Sequence, residues 1–116
     1  MNFNLHRIDA GIMEGELEIQ PIHFQQDGFV HGGVIATIAD IVAGFSAVSL
    51  VAADQKVVTG EIKISYFAKG EGDKLRAIGR VVKAGKRLNF CEAEVYDVKN
   101  GEEKLIAKAT TSMITI

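Results

Sequence analysis

The amino-acid sequence predicts an α+β fold in which a curved antiparallel sheet wraps around one long, buried helix. Three observations lead there. A twenty-residue apolar run, Val34 to Ala53, holds a single charged residue, Asp40. One alternating segment precedes that run and four follow it. Short glycine-containing links join the four, and such links between alternating runs signal hairpins.

Glu14 to Ile22 alternates, with Leu17, Ile19 and Pro21 on one side and Glu16, Glu18 and Gln20 on the other. That pattern is a half-buried strand. Pro21, the only proline, implies that the strand bends or runs near an edge. Gln25-Gln26-Asp27-Gly28 reads as a loop. The helix is expected from about Gly33 to about Ala52, ended by Ala53-Asp54-Gln55. A helix apolar on every side needs a sheet to cover it. Four strands are expected next: Val57 to Ala68, Lys74 to Val82, Arg87 to Val98 and Lys104 to Ile116. The first of them sets Ile62, Ile64 and Tyr66 against Glu61, Lys63 and Ser65. Their links are Lys69 to Asp73, Ala84-Gly85-Lys86 and Asn100-Gly101, the last being the strongest hairpin signal.

A chain of 116 residues has room for one core, so one domain is expected over 1–116. Apolar residues make up 47% and charged residues 24%, the balance of a soluble globular protein. The net charge of −2 gives no general attraction for nucleic acid or an anionic membrane. One cysteine, Cys91, forbids an internal disulfide and suits the reducing cytoplasm. Residues 1–11 carry polar groups throughout and lack the apolar core of a secretory signal. Val34–Ala53 is long enough for a membrane span, but Asp40 and the lack of a flanking Lys/Arg cluster favour a buried helix. His6, His23 and His31 lack ligand spacing, so no metal is expected.

Asp40 is the residue that most needs a reason. Desolvating a carboxylate costs on the order of several kcal/mol in practice unless a partner compensates. It is kept either as a structural hydrogen-bonding group or for chemistry. His31-Gly32-Gly33 lies just upstream, where a helix start offers free N–H groups to developing negative charge. Gly33, Ala36, Thr37, Asp40, Ala43, Gly44 and Ala47 also form a small-residue stripe at helical spacing. The stripe fits close packing on the sheet, or the approach of another chain or a slim ligand. Gly32 and Asp40 are eight residues apart, about 12 Å along a helix axis. Reacting atoms must come within about 3–3.5 Å. If both groups act on one carbonyl, they come from two protomers with antiparallel helices about a two-fold axis.

Gly28-Phe29-Val30-His31-Gly32-Gly33, with Asp40 nine residues after His31, resembles the hotdog-fold acyl-CoA thioesterases of the phenylacetate-pathway type. Thr59 to Tyr66, Val82 to Lys86 and Gly101 to Ala109 resemble that family's later strands and hairpins, so the likeness spans nearly the whole chain. The resemblance implies hydrolysis of an acyl-CoA or aryl-CoA to the free acid and CoA. The Gly32 amide would stabilise the oxyanion, with Gly33 beside it at the substrate. Asp40 of the partner would activate water as general base or attack as nucleophile. Thr59 stands where the family often has a serine that helps hold the water. His31 would order the loop. The family usually has Asn six residues before that histidine, where this chain has Gln25. No cofactor is implied, since coenzyme A is part of the substrate. A homodimer at least, and a homotetramer by resemblance, is expected. Pocket walls are expected from the helix and from the strands around Tyr66 and Phe90.

Seven of the thirteen basic residues fall between Lys69 and Arg87, opposed there only by Glu71 and Asp73. The hairpin residues Lys83, Lys86 and Arg87 are candidates for the phosphates of coenzyme A, against the plainer reading of a solvated hairpin. Two rivals to hydrolysis remain: an acyl-thioester hydratase or dehydratase of the same fold, for which no second acid or histidine is evident, and a non-catalytic acyl-CoA binder.

Overall fold

Residues 3–24 and 28–116 are described by the computed structural model. Six strands and one helix follow in the order β1 (Phe3–Asp9), β2 (Ile12–Glu18), α1 (Gly32–Val48), β3 (Val57–Tyr66), β4 (Lys74–Ala84), β5 (Leu88–Lys99) and β6 (Glu102–Thr115). They form one antiparallel sheet in the order β1-β2-β4-β5-β6-β3. The α+β architecture is the expected one: α1 lies across the sheet, mainly on β4 and β5.

The core shows why. Met13, Leu17, Leu75, Ala77, Cys91, Ala93, Val95, Ala107, Ala109 and Met113 alternate along β2, β4, β5 and β6 and are buried. Ile35, Ile38, Ala39, Val42, Ala43 and Ala47 of α1 cover them. The helix comes close to the sheet because Gly79 has no side chain. A Cβ there would collide with the Val42 carbonyl and the Ala43 amide. The β5–β6 turn is also as expected. Asn100 (φ 52°) and Gly101 (φ 80°) both take left-handed backbone, the geometry of a two-residue type I′ hairpin.

Four sequence expectations change. β1 was not foreseen, because only Phe3 and Leu5 of this edge strand touch the core and no strong alternation results. The strand expected over Glu14 to Ile22 runs from Ile12 to Glu18. Pro21 then opens a 3-10 turn over Pro21–His23, which leaves Ile22 in solvent. The helix stops at Val48, short of Ala52. Ser49 Oγ accepts the Gly11 amide over 2.7 Å, which ties the helix end to the β1–β2 turn instead of letting the helix continue.

The fourth change concerns the helix surface. α1 is buried on one side only: Gly33, Thr37, Phe45 and Val48 face solvent and Asp40 is half-buried. The small-residue stripe therefore divides. Ala43 and Ala47 pack on the sheet, while Gly33, Thr37 and Asp40 stay accessible. No helix is long and apolar enough to cross a membrane among the described residues.

β3 is the edge that matters for the site. Thr59, Ile62, Ile64 and Tyr66 pair with Met113, Thr111, Ala109 and Ala107, all buried on the helix side of the sheet. The predicted apolar face of the strand is therefore the helix side. Ile62 and Tyr66 nevertheless remain 38% and 48% exposed, and α1 meets the strand through Asp40 on Thr59 and Gly32 on Tyr66.

Candidate active site

The helix start is left open by its own sequence. His31 is the N-cap residue, with no side-chain cap. Ser, Thr, Asp or Asn would normally stand there and accept an amide. The Val34 and Ile35 amides both donate to the His31 carbonyl, over 3.0 and 3.3 Å. Among the described residues, no acceptor is placed on the amides of Gly32 and Gly33. An added Cβ on Gly33 would meet nothing within 4 Å, and the residue is exposed.

The backbone preceding the helix is tightly held. The Val30 amide donates to the Gly70 carbonyl (2.8 Å) and the His31 amide to the His23 carbonyl (2.9 Å). His23 is itself buried, and its Nδ1 accepts the Gln20 amide over 2.8 Å. The His31 backbone is thus joined to His23 by one hydrogen bond. The His31 ring is exposed and has no hydrogen-bond partner among the described residues. Gln25, the other loop residue singled out, lies outside the described residues.

Asp40 has a specific partner. The Thr59 hydroxyl donates to Asp40 Oδ1 over 2.7 Å. Asp40 and Thr59 share a cleft of about 200 Å³ with Ile41, Gly44, Phe45, Val48, Val57 and Met113. A carboxylate with one oxygen anchored by a hydroxyl keeps its second oxygen available to a water or a carbonyl carbon. The apolar wall strengthens electrostatic contacts made within the cleft.

Gly32 lies elsewhere. It borders a cleft of about 350 Å³ with Phe29, Val30, Ile35, Tyr66, Phe67, Ala68 and Lys69. Asp40 is absent from that cleft and Gly32 from the other. One chain therefore does not bring the amide and the acid together, in line with the eight-residue separation on one helix. Tyr66 enters this second cleft as expected for a pocket wall. Phe90 borders neither of these two clefts. It stands between the buried Asn89 and Cys91 and points to the opposite side of the sheet.

Four of the seven basic residues are paired, Lys69 locally and three with strands distant in sequence. Lys69 pairs with Glu71 (3.7 Å), Lys74 with Glu16 (2.7 Å) and Arg80 with Glu94 (3.2 Å). Arg76 meets both Glu14 and Glu103. Lys83, Lys86 and Arg87 are exposed and form no ion pair among the described residues. Of the seven, these three keep their charge free on the β4–β5 hairpin.

Cys91 is a packing residue. Burial pushes its thiol pKa up, against smaller opposing contacts from Ser46 and Thr111. That disfavours the thiolate a nucleophile would need. No three His, Cys, Asp or Glu side chains converge to hold a metal ion among the described residues.

Comparison with known proteins places this geometry in a family. Residues 27–104 match the model of the thioesterase superfamily. A thioesterase family protein from Silicibacter pomeroyi superposes with a TM-score of 0.96 at 29% identity, covering 98% of this chain and 84% of that one. The structure of smu.793 from Streptococcus mutans, bound to acetyl CoA, superposes with a TM-score of 0.86 at 28% identity, over 100% and 90% of the two chains. The proofreading thioesterase EntH of Klebsiella pneumoniae is 27% identical over 93 residues, 80% of this chain and 68% of the relative. The chain spans 59% to 68% of the length of the first curated relatives it matches. By the family match and the shared hotdog fold, the chain belongs to the thioesterase superfamily.

Proposed function

We propose that this chain hydrolyses an acyl-CoA or aryl-CoA thioester to the free acid and CoA, at a site shared between two copies. The observation that carries this reading is the Asp40 carboxylate, held by Thr59 and placed eight residues along the helix from an uncapped N-terminus. The clefts of a single chain are incomplete in complementary ways, one holding the acid and the other the amide. Two copies with antiparallel helices complete both.

In such a site the thioester carbonyl rests against the Gly32 amide of one subunit. As negative charge develops on oxygen, the N–H bond and the helix dipole stabilise it. Asp40 of the second subunit takes a proton from water, which adds to the carbonyl carbon, or attacks that carbon directly and is released by water afterwards. The carbon–sulfur bond breaks and the thiolate leaves, accepting a proton. Thiolate is a good leaving group, so no metal and no cofactor beyond the CoA of the substrate is required. Thr59 orients the carboxylate. Lys83, Lys86 and Arg87 form the rim that meets the CoA phosphates.

The β3 edge and the exposed helix face support a dimer. β3 has no partner on its outer side among the described residues, and Phe45, Val48 and Ile62 expose apolar surface. Unprotected edges and apolar patches of this kind call for a partner. We place the chain with the phenylacetate-pathway type, working as a dimer or a tetramer of two dimers in the cytoplasm. Names of relatives extend the substrate range: one is a medium/long-chain acyl-CoA thioesterase.

A thiol-release assay over a panel of acyl-CoA and aryl-CoA esters tests the proposal. Hydrolysis by the wild type that is lost in Asp40→Asn supports it. Tight binding without CoA release makes the chain a binder. Release that survives Asp40→Asn removes the assigned chemistry.

A further inference from the structure

We infer that Tyr66 is a positioning residue for the amides at the helix start, holding the Gly32–Gly33 peptide from the adjacent strand. This inference rests on the reading of that helix start as the oxyanion donor. The Tyr66 hydroxyl donates to the Gly32 carbonyl oxygen over 2.8 Å, across 34 residues of sequence. Its ring also packs on the glycine: a Cβ on Gly32 would meet the ring at 3.4 Å.

The mount is rigid where the helix start is weak. Two adjacent glycines carry the largest backbone entropy to lose, and no N-cap side chain opposes fraying. The Thr37 hydroxyl donates to the Gly33 carbonyl over 2.7 Å, but Thr37 belongs to the same helix and moves with it. Tyr66 ends β3, and the two residues after it donate to the Ile106 carbonyl of β6, over 2.7 and 3.3 Å. Tyr66 thus fixes the first turn of α1 to the sheet.

The hydroxyl also acts through the peptide bond. The Gly32 carbonyl and the Gly33 N–H belong to one peptide unit. A hydrogen bond to the oxygen polarises that unit and makes the Gly33 N–H a better donor. Gly33 stands beside the Gly32 amide of the proposed oxyanion site, and a Cβ added to it would meet nothing within 4 Å. The proton of the Tyr66 hydroxyl is committed to Gly32, so its effect on the substrate is indirect.

The test uses Tyr66→Phe, which removes one oxygen and keeps the ring, with octanoyl-CoA and benzoyl-CoA as probes. The expected result is a kcat about tenfold lower with KM within about twofold of wild type. Amide NMR of the substrate-free protein should show the Gly33 resonance moved upfield and faster hydrogen exchange in the first turn. A raised KM with unchanged kcat would make Tyr66 a cleft wall only and overturn the inference. So would unchanged kcat together with an unchanged Gly33 resonance. Asp40→Asn, run alongside, separates the two levels. If it is inactive while Tyr66→Phe is fully active, only the inference on Tyr66 fails. If it is fully active, the assigned site fails and this inference with it.

Discussion

Thr59 of the edge strand and Asp40 of the central helix meet through a single hydrogen bond, 2.7 Å from hydroxyl to carboxylate. The bond fixes which carboxylate oxygen is free. It also ties the position of β3 to the one acid on α1. Thr59→Val keeps the shape of the side chain and removes the donor. A hydrogen bond to a charged group contributes about 1.5–3 kcal/mol, so kcat is expected to fall roughly ten- to a hundredfold. Thr59→Ser should keep most of the rate. Steady-state kinetics on both variants checks this, and equal losses in the two would refute a role for the hydroxyl.

The Gly32 amide can be removed without touching any side chain. Gly32 is the first residue of α1, the one helical position where proline is well tolerated, and the extended backbone of His31 (ψ 136°) accepts a following proline. Gly32→Pro should fold normally and lose about 10²–10³ in kcat, the usual cost of one oxyanion donor. Circular dichroism and thiol release measure the two parts. Mixing Gly32→Pro chains with Asp40→Asn chains should then restore activity, since a mixed dimer has one intact site. With random pairing the recovery is about a quarter of wild type. A mixture that stays inactive would argue against a shared site.

Charge on the β4–β5 hairpin should act on the nucleotide end of the substrate alone. Lys86→Glu with Arg87→Glu is expected to raise KM for acyl-CoA by roughly tenfold and to leave KM for the matching acyl-pantetheine unchanged. The effect should shrink with added salt, because exposed charges are screened over about 10 Å at 0.1 M. Equal changes in both KM values would remove these residues from the site.

Gly79 should be among the least replaceable residues of the sheet. A Cβ there collides with backbone atoms of α1, which cannot swing aside as a side chain could. Gly79→Ala is expected to destabilise the fold by about 1–3 kcal/mol, the range for overpacked cores. Urea unfolding against wild type measures it. Because α1 carries Asp40, the same shift should lower activity in the surviving folded fraction.

Much of this molecule was legible from local pattern. The alternation of β2, β4, β5 and β6 repeats every two residues, and the turn chemistry of Asn100-Gly101 lies within two residues. The open helix start and the lone acid were visible for the same reason: Gly32 and Asp40 sit on one helix, so their separation follows from its rise. β1 was missed because an edge strand with two core contacts leaves little periodic signal.

What the tertiary structure alone decided is which distant groups meet. The sequence named Asp40 and, through family likeness, Thr59, but their bond spans 19 residues and depends on β3 pairing with β6 in one register. Tyr66 on Gly32 spans 34 residues and left no local trace. The sequence singled out the hairpin cations, but only the fold shows that Glu14, Glu16, Glu94 and Glu103 pair with their basic neighbours Lys74, Arg76 and Arg80 from other strands. Periodicity reports the face on which a side chain lies, because that follows from the geometry of one element. Contact between elements follows from register and packing, which the whole core sets together.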